Sequence, residues 1–462
     1  MKRPIRFYVA IFMARSARFL LKKLKRNATH FPGQVARTIC FDFLKYLQQP
    51  THLIGVTGTN GKTTVSNMIL DVFKAQRIEV ANNKLGSNIT EGVITALLDA
   101  TTFFGNRKSE WGVLEIDERA SLRIFPYIKP DVLVVTNLFR DSYKRNAHIE
   151  FIVDLLNKYI PETTHLIVNG DDLIASMLCA PNSRTTFGIL PQENELQVRD
   201  SIINDLVYCP TCENRLTRDF VRYHHVGIHH CESCGFKSLP LDVYVKTLDV
   251  ALRRMVVESN DVSCEFRLVG SNITDAYNMI AMISVFLHYG KTLSEISSIV
   301  DTLSIVESRF DEIAVGNKRV IGLLAKDQNP VANSRVFDFI RRETSWGKVA
   351  ILFANEVYAH VDNPDEVENM AWIYDADMEY LNQEHISQLI VGGHRRYDFY
   401  ARMRMAGIPE SKIVIVDKEE DEIRMIDSSI DTVVLLYSTK NIPIANRMKK
   451  EIAKHLVSEV NV

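Results

Sequence analysis

The chain has no stretch of about 18 uncharged apolar residues, so no part of it is suited to cross a bilayer as a helix. It has almost no net charge: 55 Lys and Arg against 57 Asp and Glu leave -2, and bulk charge singles out neither nucleic acid nor an acidic partner. Internal repeats and low-complexity linkers are missing, which excludes a solenoid. Cysteine is scarce, seven in 462 residues, and four of the seven fall in two C-x-x-C pairs. That spacing points to a metal site rather than a disulfide framework, and with it a cytosolic compartment is expected.

What is present is ordinary globular material, 46% apolar and 24% charged, in a chain long enough for two or three domains. The opening "MKRPIRFYVAIFMARSARFLLKKLKR" predicts a basic amphipathic helix. Arg15 and Arg18 interrupt its apolar run and no small-residue cleavage site follows, so a cleaved signal peptide is not expected. Two roles stay open for it, together or alone: packing on the protein's own surface, or lying on anionic lipid.

From about residue 50 short apolar runs alternate with helical stretches. "HLIGVTG", "WGVLEID", "DVLVVTN" and "HLIVNG" each end at Gly, Asn or Asp, as buried parallel strands do where they enter βα loops. The alternation breaks near residue 200 at a Cys- and His-bearing insertion, and "TDAYNMIAMISVFLHYG" then predicts a helix. Beyond about residue 305 "VIGLLAK", "KVAILFAN", "QLIVGG", "KIVIVD" and "TVVLLYS" predict a second, smaller α/β domain. In such sheets the chemistry collects at the carboxyl ends of the strands.

"GVTGTNGKTT" sits at one such end. Gly58 and Gly61 let backbone amides approach phosphate oxygens, and a following helix adds its positive end. Lys62 is placed to reach the terminal phosphates and Thr63 to reach magnesium; Thr59, Asn60 and Thr64 complete the loop. Val56 stands where the strict Walker pattern has glycine, so this is a variant. Magnesium needs further oxygen ligands. Glu115, Asp117 and Glu118 follow one predicted strand, and Asn137 and Asp141 follow the next.

Cys209, Cys212, Cys231 and Cys234 form two knuckles 18 residues apart, the pattern of a closed, structural zinc site. Four thiolates leave no position for water. His224, His225, His229 and His230 read as loop residues beside it, and Cys40, Cys179 and Cys264 as small apolar residues.

Taken together, "GVTGTNGKTT", "VLEIDE", "TNLFRD", "DAYN" and "SRF" resemble the Mur ligases, which activate a carboxylate with ATP as an acyl phosphate and join it to an amine. "NNKLGSNITEGVITALL", the Cys pairs, "NPVANSRVFDFI", "AWIYDADMEYL" and "GGHRRYDFYARMRMAGIP" are similar to the MurT-type branch, the ATP-using subunits of lipid II isoglutaminyl synthase. The resemblance implies a basic segment at 1–49, a central P-loop ATPase domain at 50–304 with a four-cysteine zinc ribbon inserted at about 203–240, and a smaller Rossmann-like α/β domain at 305–462. It implies ATP and magnesium on Lys62, Thr63 and Glu115, an adenine contact at Asn278, and Arg309 facing the γ-phosphate. It also implies a GatD-type glutamine amidotransferase as ammonia source, lipid II as substrate, and no nucleic acid. The amidated group would be the α-carboxyl of D-glutamate in the stem peptide, at the inner face of the membrane.

The chain departs from the family in places. "YAHVDNPDEVENMAW" stands where the branch carries an aspartate thought to complete the partner's Cys-His pair, leaving Asp362 and Asp365 for that role. Asp275 replaces an Asn and Ser308 a Gly. Two alternatives therefore stay open: a paralogue activating another carboxylate or using another amine, and a nucleotide-binding scaffold without catalysis.

Overall fold

The computed structural model describes residues 2–84, 87–140, 148–192, 195, 200–270, 272–303, 311–325, 329–354, 370–393, 395–417, 419–438 and 442–460. The chain forms two compact units. The first is Met1–Phe139, Ile149–Val198 and Leu206–Val306; the second is Arg140–His148, Arg199–Asp205 and Glu307–Val462.

The first unit holds a nine-stranded sheet. Its strands are β1 (His52–Thr57), β2 (Val80–Asn82), β3 (Trp111–Glu115), β4 (Val132–Val135), β5 (His165–Asn169) and β6 (Arg184–Ile189). An inserted hairpin, β7 (Thr217–Tyr223) and β8 (Val226–His230), precedes β9 (Val243–Asp249), β10 (Arg254–Ser259) and β11 (Val262–Arg267). The order is β11-β10-β9-β6-β5-β4-β1-β3-β2, with β2 through β9 parallel and β9-β10-β11 an antiparallel meander. β4 is buried at every residue and β1 at all but its first, as continuous apolar strands covered on both faces must be. The chain places β3 on one side of β1 and β4 on the other, so the strand order reverses at β1 and a crevice opens beyond its carboxyl end.

Helices α1 (Ile5–Lys23), α2 (Phe31–Ile39), α3 (Lys62–Ala75) and α4 (Thr90–Asp99) open the unit. Phe7, Ala10, Ile11 and Ala14 of α1 share one core with Ala36 of α2, Val93 and Leu97 of α4, and Leu53, Leu114 and Leu133 of the sheet. The N-terminal segment is thus built into this unit. The predicted late helix forms as Ile273–His288, started by Asn272, whose side chain accepts from the Thr274 and Asp275 amides at 2.9 and 3.1 Å. It packs on α3.

The second unit holds β12 (Asp311–Val315), β13 (Lys318–Leu324), β14 (Val349–Phe353), β15 (Ile386–Val391), β16 (Ile413–Ile415) and β17 (Thr432–Tyr437), ordered β12-β13-β17-β14-β15-β16 and parallel except for β12. The five apolar runs expected here are β13 to β17. Arg140 bridges Asp205 (3.1 Å from Nε) and Asp375 (2.9 Å from Nη1), fastening this unit's early segments to its later ones. Among the described residues no helix is long and apolar enough to cross a membrane.

Candidate active site

The loop between β1 and α3 is shaped by two glycines in the left-handed region, Gly58 at φ 125° and Gly61 at φ 85°. A Cβ on Gly58 would lie 2.8 Å from the Asn137 carbonyl, and one on Gly61 would collide with Asn278 Oδ1. Glycine is needed at both for reach as well as for rotation. The loop is strapped to the end of β4 on one side: the Thr59 amide donates to Asn137 O (2.9 Å), the Asn60 amide to Asn137 Oδ1 (3.0 Å), and Thr136 Oγ1 to Asn60 O (2.6 Å). Thr59 Oγ1 accepts from the Phe139 amide (2.9 Å) and donates to its carbonyl (3.0 Å). A rigid bare-backbone cradle at a helix N-terminus fits a phosphate chain.

Thr63 is in the first turn of α3, and its Oγ1 donates to Glu115 Oε2 at 2.9 Å. Asn88 Nδ2 donates to the other carboxylate oxygen at 3.1 Å, and Asn83 clasps the Glu115 main chain through its N (2.9 Å) and O (2.8 Å). One hydroxyl and one oriented carboxylate at the phosphate loop are the hard oxygen donors magnesium takes. Lys62 is almost fully buried, with Nζ against the Gly58 carbonyl and 3.1 Å from Glu118. Burial opposes its charge, but the Glu118, Asp117 and Glu115 carboxylates more than offset that and hold the ammonium above its ordinary value. Glu118 therefore faces Lys62, whereas Glu115 faces Thr63; the sequence had put both among the magnesium candidates.

Asn278 rises from the Ile273–His288 helix to touch Gly61, on the loop itself. Thr64 lies in the first turn of α3. Asp141, Ser308, Arg309, Asp362 and Asp365 lie outside the described residues. Of the nearby aspartates, Asp375 pairs with Arg140 and Asp377 is buried, accepting from the Ile202 amide at 2.5 Å. Burial pushes Asp377 up to about 6.

The four cysteines converge. Cys209 and Cys234 sulfurs are 3.6 Å apart, Cys212 and Cys231 are 3.5 Å apart, and all four lie within 4.8 Å of one another. Zn–S bonds of about 2.3 Å in a tetrahedron separate sulfurs by about 3.8 Å, so the set fits zinc. Both knuckles close alike, with the Glu213 amide donating to Cys209 O and the Gly235 amide to Cys231 O, each at a left-handed residue. The Asn214 amides pull Cys212 down to about 6, favouring the thiolate a metal binds. His229 and His230 belong to β8 rather than to a loop, and His225 Nε2 lies 3.1 Å from Asp172, turned to the sheet and not to the sulfurs.

Sequence reading missed a buried network that joins this hairpin to the sheet. Arg222 of β7 bridges Asp171 (3.1 Å) and Glu195 (2.5 Å) and touches the Tyr277 hydroxyl, which donates to Asp171 at 2.5 Å. Tyr277 immediately precedes Asn278. The only sequence signals were the Tyr in "DAYN" and Arg222 beside Val221 in a strand that also carries Arg218 and Asp219.

Residues 56–285 match the model of the Mur ligase middle domain, and residues 326–440 that of the MurT ligase C-terminal domain. The chain is 28% identical over 449 residues to the lipid II isoglutaminyl synthase (glutamine-hydrolyzing) subunit MurT of Staphylococcus aureus strain COL, covering 96% of this chain and 98% of the relative. The subunit of the same name from Streptococcus pneumoniae R6 is 29% identical over 432 residues, 91% of each. Among solved structures, a pseudomurein peptide ligase type C from Methanothermus fervidus superposes with a TM-score of 0.64 at 19% identity, over 89% of this chain and 81% of that one.

Proposed function

Because the chain belongs to the Mur ligase family, we propose that it is an ATP-dependent ligase serving as the MurT-type subunit of a lipid II isoglutaminyl synthase. The observation that carries the site assignment is the Thr63–Glu115 hydrogen bond beside the Gly58–Gly61 cradle, at the reversal of strand order.

In this reading the cradle amides and Lys62 hold the ATP phosphates, while Thr63 and Glu115 hold magnesium. The metal supplies charge neutralisation on the transferring phosphoryl group. A carboxylate oxygen of the stem-peptide D-glutamate attacks the γ-phosphorus and ADP departs. Ammonia then adds to the acyl carbon, gives up a proton, and inorganic phosphate leaves, so a carboxylate becomes a carboxamide. Glu118, Asp117 and Glu115 favour the charged form of Lys62, the form that meets a phosphate. Asn278 fixes Gly61 from the far side and so sets the width of the cradle. Asp362 and Asp365 are assigned to the interface with a GatD-type glutamine amidotransferase, the ammonia source. The Cys209–Cys234 centre holds structural zinc.

The test is mass spectrometry of lipid II incubated with the protein, Mg-ATP and ammonium. Carboxamide formation that disappears in Lys62→Ala supports the reading. Neither amide nor ADP, with or without an amidotransferase added, would sink it.

A further inference from the structure

Helix α1 is apolar on two opposite faces. Phe7, Ala10, Ile11 and Ala14 point inward and are at most 1% exposed. On the other side Ile5, Val9, Phe12, Phe19, Leu20 and Leu24 form a stripe, with exposures from 46% at Val9 to 83% at Ile5. A hundred degrees per residue puts these side chains within one arc, so the stripe runs the length of a helix about 28 Å long. Phe103 and Phe104, each about two-thirds exposed, extend it sideways. Their loop is held to α1 by Arg3, which donates to Gly105 O (3.0 Å), and by Arg15, which donates to Thr102 O (3.2 Å) and covers the Phe103 ring at 4.5 Å.

Residues 1–26 contain nine Lys and Arg and no Asp or Glu. They are divided by job. Arg3, Arg15 and Arg18 turn inward onto backbone carbonyls, and Arg6 pairs with Asp42. Lys22, Lys23, Lys25 and Arg26 are exposed at the stripe's end and have no ion-pair partner among the described residues. An apolar stripe this large on a soluble face is unusual, and a rim of one sign beside it selects a surface of the other sign.

We infer that the outer face of α1, with Phe103 and Phe104, lies in the interface of an anionic lipid bilayer, the stripe among the acyl chains and the Lys22–Arg26 cluster on the phosphates. Charge argues for lipid over a second copy of the chain, since two such faces would oppose cation to cation. The inner side of the same helix gives the arrangement a use. Arg18 lines a mixed polar and apolar cavity of about 420 Å³ with Asn82, Asn83, Thr95 and Lys108, and Asn83 is the residue that clasps Glu115. Arg18, on the helix that meets the bilayer, therefore shares a cavity with Asn83, the residue that holds Glu115 of the candidate active site. The inference stands on the helix; the lipid II reading gives it a purpose but is not its premise.

The test is flotation of the full chain, without nucleotide, with vesicles of phosphatidylcholine alone or of phosphatidylcholine and phosphatidylglycerol in equal parts. Binding should be about tenfold greater to the anionic vesicles and fall with added salt. Phe12→Glu with Leu20→Glu should abolish it without changing the melting temperature or ATP hydrolysis, since neither side chain is buried. Neutralising Lys22, Lys23, Lys25 and Arg26 to Gln should remove the preference for the anionic vesicles. No binding to either vesicle overturns the inference. So does a dimer in ultracentrifugation that the Phe12/Leu20 variant dissociates while vesicle binding is absent, which would give the stripe to a second copy. A stripe that is covered only when a glutamine amidotransferase is added, with no vesicle binding before or after, overturns it equally. None of these outcomes bears on ATP chemistry, which the Lys62→Ala experiment reads separately.

Discussion

Gly61 is the residue on which the phosphate loop's shape depends most directly. Its φ of 85° would strain any side chain by about 1 kcal/mol, and a Cβ there would also displace Asn278. Gly61→Ala should weaken Mg-ATP binding by tenfold or more in calorimetry, by a rough sum of strain and displacement. Gly61→Ala with Asn278→Ala should recover part of the loss, because the collision is gone and the strain remains. Equal losses in the single and double variants would remove Asn278 from the loop. Asp377 makes a different kind of prediction. Burial raises its pKa from 3.8 to about 6, so the folded state binds the proton more tightly than the unfolded one. Stability from this group is full below about pH 4 and is lost as pH rises through 6, the reverse of a salt-bridged carboxylate. Asp377→Asn should therefore be more stable than the parent at pH 7.5, by on the order of 2 kcal/mol, and lose that advantage by pH 4 in denaturant titrations. An advantage independent of pH would mean that Asp377 is charged at no cost.

Among the elements, the four-cysteine hairpin is joined to the sheet by Arg222, and through Tyr277 it lies one residue from Asn278. Cys212→Ser should lower the zinc content measured by elemental analysis and reduce Mg-ATP affinity, roughly tenfold if the coupling is typical. Tyr277→Phe should keep the zinc and reproduce the loss of affinity; unchanged affinity in that variant would leave the hairpin a passive insert. β1, β3, β4, β5, β13 to β15 and β17 were legible because strands covered on both faces are unbroken apolar words, and the edge strand β16 because Ile413–Ile415 is apolar at every residue. β2, which is Val-Ala-Asn, and β9 to β11, whose outer faces carry Lys246, Glu258 and Glu265, were not, since a short strand ending in a polar residue and a one-sided meander lack that run. In the site, the loop, Glu115 and the four cysteines were legible from spacing. The division of labour between Glu115 and Glu118 was not, because it depends on which way a chain turns after β3. The Arg222 network was hidden for a related reason: its members are 51 and 55 residues apart in sequence and meet only through the fold.

For the whole molecule, the two units are interlaced along the chain. Arg140 and Asp205 belong with Asp375, although more than a hundred residues of the first unit lie between and around them. A fragment ending at residue 306 should keep the nine-stranded sheet yet leave the Arg140–Asp205 pair without Asp375 and its neighbours exposed. It should show native-like helical content in circular dichroism and aggregate more readily than the full chain. If it stays monomeric and dilute-solution stable, the early segments of the second unit do not need the later ones. The same interlacing has a consequence during synthesis. Asp205 leaves the ribosome before any residue of the 307–462 part exists, and at about 5–20 residues per second the wait is on the order of ten seconds. For that interval a nascent chain carries an unfinished surface, open to whatever binds exposed segments at the tunnel exit.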